Sequence, residues 1–488
     1  MRKVIFIILS ILPIFMSTQC QSTVITPPSE TITNFIDEII PDEISETMLL
    51  PETYNTYKLK WYLDQEELTD YLLIRPFLLV DSRHIIKMEV SVGAQKKNFE
   101  KPVDFIKYQY VSTIRINTNY QAINRETYVP GSVSVDNGDQ TTLEATMKIR
   151  GRGNSTWVLY EKKPYRIKFD ERQSVLGMKA AKDYVLLSEH GDKSLLRNFI
   201  VHKIAQSSEL DYVFETRFVE VYLNNYYEGL YLLTEQVEVD KKRLSLEDSN
   251  LYNGGFMVEL ETWDRSAELG EEDVDWVEVD GRAYIIVHPD QDDYTEAEMK
   301  QKANYIKSYL QNTYQSMKNG TYQSYIDVEE LMDYFIIQEL TKNVDVNYSS
   351  VFMYKDYNGK LKMGPLWDFD ISMGNGDYYP SNPEGFWAVN HPYLTELRKD
   401  ANFKTQYKAR FKAFLEKEQD WLNELDYAYQ MISIAAANNF SRWNILDQYI
   451  WPNSSEMMSR HTHEEQYEYV REWLIDRIHW LNINMNSL

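Results

Sequence analysis

Residues Asn343–Asp370 read NVDVNYSSVFMYKDYNGKLKMGPLWDFD, and the reading of the chain starts from them. Val351–Lys355 is an apolar-rich run with strand character. Leu361–Leu366 is its return strand, and Tyr357-Asn358-Gly359 supplies the turn between them. Asn-Gly between two strand-like runs is a strong short-range hairpin signal. A hairpin brings its open ends together, so Asp345 is expected beside Asp368 and Asp370. Carboxylates gathered in a poorly hydrated site repel one another unless a cation or a shared proton offsets the repulsion. The pattern points to a divalent-metal site for phosphoryl transfer.

The segment that feeds this hairpin, Asp327–Lys342, has helical periodicity. Asp327 is placed to cap it, with Glu330 three residues on, and Leu331, Met332, Phe335, Ile336 and Leu340 form its buried face. Upstream, Arg150-Gly-Arg-Gly-Asn-Ser-Thr-Trp157 is a Gly-flanked polar turn. It is followed by the strand Tyr165–Phe169, whose alternation sets Arg166 and Lys168 on one face. Gly191–Gln206 reads as a helix capped by Asp192. Phe218–Leu223 and Gly229–Leu233 flank a turn at 224–228, and the second strand runs on into Thr234-Glu235-Gln236-Val237. Val111–Asn117, Ser132–Asp136, Thr142–Arg150, Gly255–Leu260 and Ala283–His288 are further strands, with Asp136-Asn137-Gly138-Asp139 a turn. From Pro392 onward the pattern is helical, ending in an amphipathic helix with Thr462 and Glu465 as its capping box.

The chain has 488 residues, 43% hydrophobic and 26% charged, which is the profile of a globular protein of two or three domains. Its net charge of −24 disfavours a nucleic-acid partner. Aromatics reach 14%, with 37 Tyr, which suits sheet-rich or carbohydrate-facing surfaces. The one cysteine, Cys20, rules out an intramolecular disulfide framework. Arg2-Lys3, the apolar run Val4–Met16 and Cys20 together resemble a bacterial lipoprotein signal of the Bacteroidetes type. That resemblance implies export, a lipidated Cys20 and anchorage at the cell envelope or outer-membrane surface. Residues 21–40 are then a tether. Residues 41–110, with Lys58–Tyr62 and Ile85–Val92 alternating, resemble atrophied bacterial Ig-like domains with Trp61 as the buried tryptophan, a small β-sandwich spacer.

RGRGNSTW, KKPYRIKFD, DKSLLRN, VEVYLNNYYEGLYLLTEQV and GPLWDFDISMGN, in this order, resemble the spore-coat-protein-H (CotH) kinase family over about residues 111–485. The resemblance implies an α+β, atypical protein-kinase-like fold with a helical C-terminal part. It implies transfer of the ATP γ-phosphate to Ser/Thr hydroxyls of a protein, with Mg²⁺ or Mn²⁺. Asp345 matches the catalytic Asp and Asp368 the metal-binding Asp, with Asp370 a second metal contact. Lys168, or else Arg166, is the cation on the phosphates. Arg152, Asn154 and Ser155 form an anion-contacting turn, and Glu235 and Val237 belong to the linker touching adenine. Kinase sites carry an Asn about five residues after the catalytic Asp; here that position is Ser350, so Asn347 or Asn375 is the expected oxygen ligand. Glu189 and Glu235 are the candidate carboxylate partners of Lys168. A catalytically inactive, surface-binding lipoprotein is the alternative reading, and a two-carboxylate glycan hydrolase a third.

Four other features have plain structural readings. His461-x-His463 is solvent-exposed and belongs to a helix cap. Trp443, Trp451, Trp473 and Trp480 are helix-packing residues. The acidic run Glu268–Asp280 is a solvated loop. Trp367 and Phe369 are core residues flanking Asp368.

Overall fold

The computed structural model describes residues 29–44, 48–69, 71–73, 82–105, 111–137, 140–247, 252–261 and 274–488. The signal segment with Cys20, the first part of the tether, Gly138-Asp139 and the start of the acidic run lie outside the described residues. Helices and sheets both occur, and the N-terminal region is rich in strands. The chain forms two compact units. Of the described residues, the smaller gathers those up to 42 with those in 50–71 and 84–103, and the larger those in 43–49, 72–83 and 104–488.

In the smaller unit, Ser29–Ile39 is a helix inside the expected tether. Ile32, Ile36 and Ile40 recur at helical spacing and are buried. Tyr57–Leu63 pairs antiparallel with Ser82–Val92. Leu59 and Trp61 alternate inward along it, and the Trp61 indole donates to the Pro51 carbonyl at 2.8 Å.

From residue 111 onward the larger unit runs through seven strands: β1 Ser112–Asn117, β2 Val129–Asn137, β3 Gln140–Gly151, β4 Tyr165–Gln173, β5 Ala181–Leu187, β6 Thr216–Leu223 and β7 Tyr226–Glu235. They close into a barrel in the order β2-β3-β4-β5-β7-β6-β1. Period-two alternation fills its interior with Ile114, Val133, Ile149, Ile167, Phe169, Val219 and Tyr231. The β6–β7 connection is tighter than expected. Asn224 and Asn225 alone make the turn, at φ 50° and 71°, a left-handed pair that Asn tolerates.

A second sheet contains β8 Phe256–Glu261, β9 Trp276–Val279, β10 Arg282–His288, β11 Val351–Lys355 and β12 Lys362–Met363, in the order β9-β10-β8-β11-β12. The hairpin of the opening stretch is β11–β12, in register Met353↔Met363 and Tyr354↔Lys362. Its return strand is only two residues long, because the chain leaves the ladder at Gly364-Pro365; proline has no N–H to give a ladder.

The α-helices among the described residues of this unit are α1 Ser155–Leu159, α2 Arg197–Ala205, α3 Glu296–Asn319, α4 Val328–Thr341, α5 Pro392–Leu397, α6 Ala401–Leu415, α7 Glu418–Arg442, α8 Ser455–Met458 and α9 His463–Asn484. One continuous core joins α2, α4 and the second sheet to the C-terminal helices. Helix α4 is buried nearly all round, not only on the expected face. Asp327 caps it, but Glu330 does not return the bond; its carboxylate goes to the Tyr354 hydroxyl and to Lys362. Thr462 and Glu465 do form a reciprocal capping box on α9. His461 is exposed beside Asp447, whereas His463 is half-buried and bonded to the Ser194 carbonyl at 2.9 Å. No described helix is long and apolar enough to cross a membrane.

Candidate active site

A cavity of about 510 Å³ is lined by residues from the Gly-flanked turn, the β7 exit, the second sheet and both ends of the hairpin. Asp345, Asp368 and Asp370 all face it, as the hairpin argument requires. Asp345 sits on a single 3₁₀ turn, Val344–Asn347, directly after α4. Asn343 caps that turn by accepting from the Asp345 N–H at 3.2 Å. Burial raises the Asp345 carboxyl to about 7, and the charges of Asp368 and Glu261 add to the effect.

Asp368 has φ 66°, a left-handed backbone that a non-glycine residue holds only where its surroundings enforce it. The enforcement comes from the DKSLLRN segment. Asn198 accepts from the Phe369 N–H at 2.9 Å and donates to both Glu189 oxygens at 3.1 and 3.2 Å. Arg197, fully buried, donates to the Ser372 and Met373 carbonyls at 2.9 and 3.1 Å and pairs with Asp192. Asp192 therefore acts differently from its expected capping role at Gly191. Its carboxylate accepts from the N–H groups of Ser194, Leu196 and Arg197, and the helix begins only at Arg197. Met373 N–H donates to Thr341 at 2.9 Å, so the loop after Asp368 is also tied to the end of α4.

Asp368 is pushed up by burial, against the pull of Arg152 and a hydrogen bond from Ser350. Asp370 rises further, from burial and from the charges of Asp368, Glu189 and Asp345. The two carboxyl groups influence each other's titration. Arg152 is the one arginine or lysine among the described residues of the wall. Its guanidinium lies over the Trp367 ring, 4.9 Å from the centroid. Gly153, at φ 82°, makes the approach possible, because a Cβ there would lie 2.1 Å from the Thr156 hydroxyl. Asn154 and Ser155 line the same mouth and are exposed.

Other expected site residues lie elsewhere. Lys168 and Arg166 are absent from the cavity wall. The β4–β5 register sets Lys168 opposite Asp183, which holds Arg166 at 2.7 Å and Lys168 at 3.8 Å. Asp183, not Glu189 or Glu235, is thus the carboxylate partner of Lys168. Glu235 is fully buried and bonded to the Tyr212 hydroxyl, the Glu215 N–H and Arg243, so its side chain is unavailable to a nucleotide. Val237, with Gln236, does line the cavity. Asn375 is buried with its amide committed to the Gly191 and Asp370 carbonyls and to Asn453, which removes it as an oxygen ligand. Asn347 points out of the cavity wall toward the Trp387 carbonyl.

Several wall residues escaped the sequence reading. Glu259 and Glu261 alternate on β8 with buried Val258 and Leu260. Period-two glutamates flanked by apolar residues carried that signal. Glu189, expected as a partner of Lys168, lies in the wall instead, raised to about 8 by burial and the Asp192 charge. Trp451 is 43% exposed and lines the cavity, so it is not a helix-packing residue like Trp443, Trp473 and Trp480.

The wall offers carboxylate oxygens, the donors that Mg²⁺ and Mn²⁺ prefer. Among the described residues no three His, Cys, Asp or Glu side chains converge as a complete metal cage. Kinase-type cations take one or two carboxylates and complete their shell with phosphate oxygens and water. The Asp368–Asp370 pair, two carboxyls in one cavity wall, fits that incomplete set.

A family model described as CotH kinase protein matches residues 149–481. The chain belongs to this family, and the matched span includes every described residue of the cavity wall. No curated protein matches the chain.

Proposed function

We propose that this member of the family is a metal-dependent protein kinase on an atypical kinase-like fold, moving the γ-phosphate of ATP to a Ser or Thr hydroxyl of a protein. The observation that carries the reading is the meeting of Asp345 and Asp368 in one cavity, delivered from opposite ends of a hairpin. Asp345 accepts the proton of the acceptor hydroxyl, and a carboxyl raised to about 7 has the basicity that this task asks for. As the hydroxyl oxygen bonds to the γ-phosphorus, the bond to the bridging oxygen breaks and ADP leaves with its electron pair. Asp368 and Asp370 hold Mg²⁺ or Mn²⁺, which when bound neutralises phosphate charge. Arg152 takes the phosphate-facing role expected of Lys168, and Gln236-Val237 borders the nucleotide.

Asp345→Asn tests the reading. Transfer from Mn-ATP or Mg-ATP should fall at least about a hundredfold, with the metal-dependent thermal shift by ATP retained. Wild-type protein that shifts with ATP but transfers nothing would leave a binding protein in place of an enzyme. Export on a lipidated Cys20, with residues 41–110 as an Ig-like spacer, belongs to the same proposal. Loss of membrane association in Cys20→Ser checks it.

A further inference from the structure

We propose that Tyr378 and Trp451 form an acceptor-docking shelf at the mouth of this cavity, and that the shelf takes an arginine side chain flanking the phosphorylated residue of a peptide. The inference rests on the kinase reading above for the word acceptor, but not for the binding itself.

The two rings line the cavity, lie 12° from parallel, and have centroids 6.2 Å apart. They are 51% and 43% exposed, whereas most large aromatics of this unit are buried. Partly solvated, stacked aromatic rings at a cavity mouth are costly to leave uncovered. The chain that carries them is tied down at Trp451 and on either side of Tyr378. The Tyr160 hydroxyl donates to the Trp451 carbonyl at 2.8 Å, the Tyr449 hydroxyl bonds the Asp377 carboxylate, and the Tyr379 hydroxyl donates to Ile371 at 3.0 Å. A shelf fixed in this way loses little conformational freedom when a ligand covers it.

It shares its wall with Asp345. Burial pushes the Tyr378 phenol up, and the charges of Asp345 and Asp370 add to it. Charge selects the occupant. The wall carries the carboxyl groups of Glu189, Glu259, Glu261 and the three aspartates against Arg152, and a cation entering beside them favours their ionised form. A flat guanidinium stacks on aromatic faces and is drawn by the carboxylates beside them. A leucine flank gains only burial, a lysine loses the planar stacking, and an acidic flank is repelled.

The test uses the full chain and labelled peptides that carry one Ser in a neutral background, with Arg, Lys or Leu on either side. Fluorescence anisotropy should rank Arg tightest. Trp451→Ala should weaken the Arg peptide about tenfold and bring it level with the Leu peptide, while Trp451→Phe restores the preference. The ATP-dependent thermal shift of Trp451→Ala reports that the cavity is still folded. Equal binding of Arg and Leu peptides, an unchanged Arg preference in Trp451→Ala, or displacement of the peptide by a neutral oligosaccharide each overturns the proposal. Trp451-dependent peptide binding without any phosphate transfer sinks the kinase reading and keeps the shelf. Transfer without Arg preference does the reverse.

Discussion

Ser350 lies beside Asp368, and its hydroxyl draws that carboxyl down against the rise that burial imposes. It stands where a kinase carries Asn, at φ 57° in the cavity wall, three residues beyond the 3₁₀ turn that bears Asp345. The short side chain therefore acts on the Asp368 carboxylate from beside it. Ser350→Ala should cost roughly tenfold in transfer, from the loss of one hydrogen bond to a charged group. The loss should appear as a raised requirement for Mn²⁺, read from metal titrations of activity, with Tm little changed.

Arg152 combines two contacts that lysine cannot reproduce together, the flat stack on Trp367 and a charge directed at Asp368. Both Arg152→Lys and Arg152→Ala should weaken ATP binding, by about tenfold or more for Ala. Isothermal titration calorimetry with a non-hydrolysable analogue checks this. Equal affinity in Arg152→Lys would mean that the stack on Trp367 is irrelevant to binding.

Arg477 and Glu339 form a fully buried ion pair at 2.6 Å. Glu339 also accepts from the Trp387 and Val389 N–H groups, and Arg477 donates to the Pro383 and Gly385 carbonyls. This lattice ties α9, α4 and the loop after Asp370 into one body. Arg477→Met leaves the Glu339 charge buried without its partner and should cost about 3–5 kcal/mol in chemical denaturation. The double variant Arg477→Met, Glu339→Gln should recover part of that loss.

Lys162 is buried, and burial lowers its ammonium to about 7, against the opposing pull of Glu189 and Glu228. Between that value and the ordinary lysine range, the unfolded chain holds a proton that the folded chain has released. Stability from this residue therefore rises as pH climbs from about 7 toward 10. Lys162→Met should flatten the stability–pH curve across that window relative to wild type. Urea midpoints at pH 7, 8 and 9 give the comparison. A variant curve parallel to wild type would mean that Lys162 is protonated in the fold.

The Asn-Gly hairpin, the α4 helix and the β6–β7 hairpin were legible because each is a local pattern: a turn dipeptide, a capped periodic run, alternation about a tight turn. Asp345 and Asp368 followed, since two local elements suffice to bring them together. The misassigned residues share a different physics. Lys168 and Glu235 look like ligands by type and place, but each is neutralised by a residue that strand register or a distant loop brings to it, Asp183 and Arg243. Asn375 has the right amide and spends it on Gly191, 184 positions away.

From its own residues, then, the chain determined which carboxylates would face each other, because a hairpin's ends meet whatever surrounds them. Tertiary structure alone decided which cation faces them, what holds Asp368 in a left-handed backbone, and that Trp451 lies open at the mouth. Those outcomes depend on contacts between segments far apart in sequence, where burial and pairing are set by neighbours that no local pattern names.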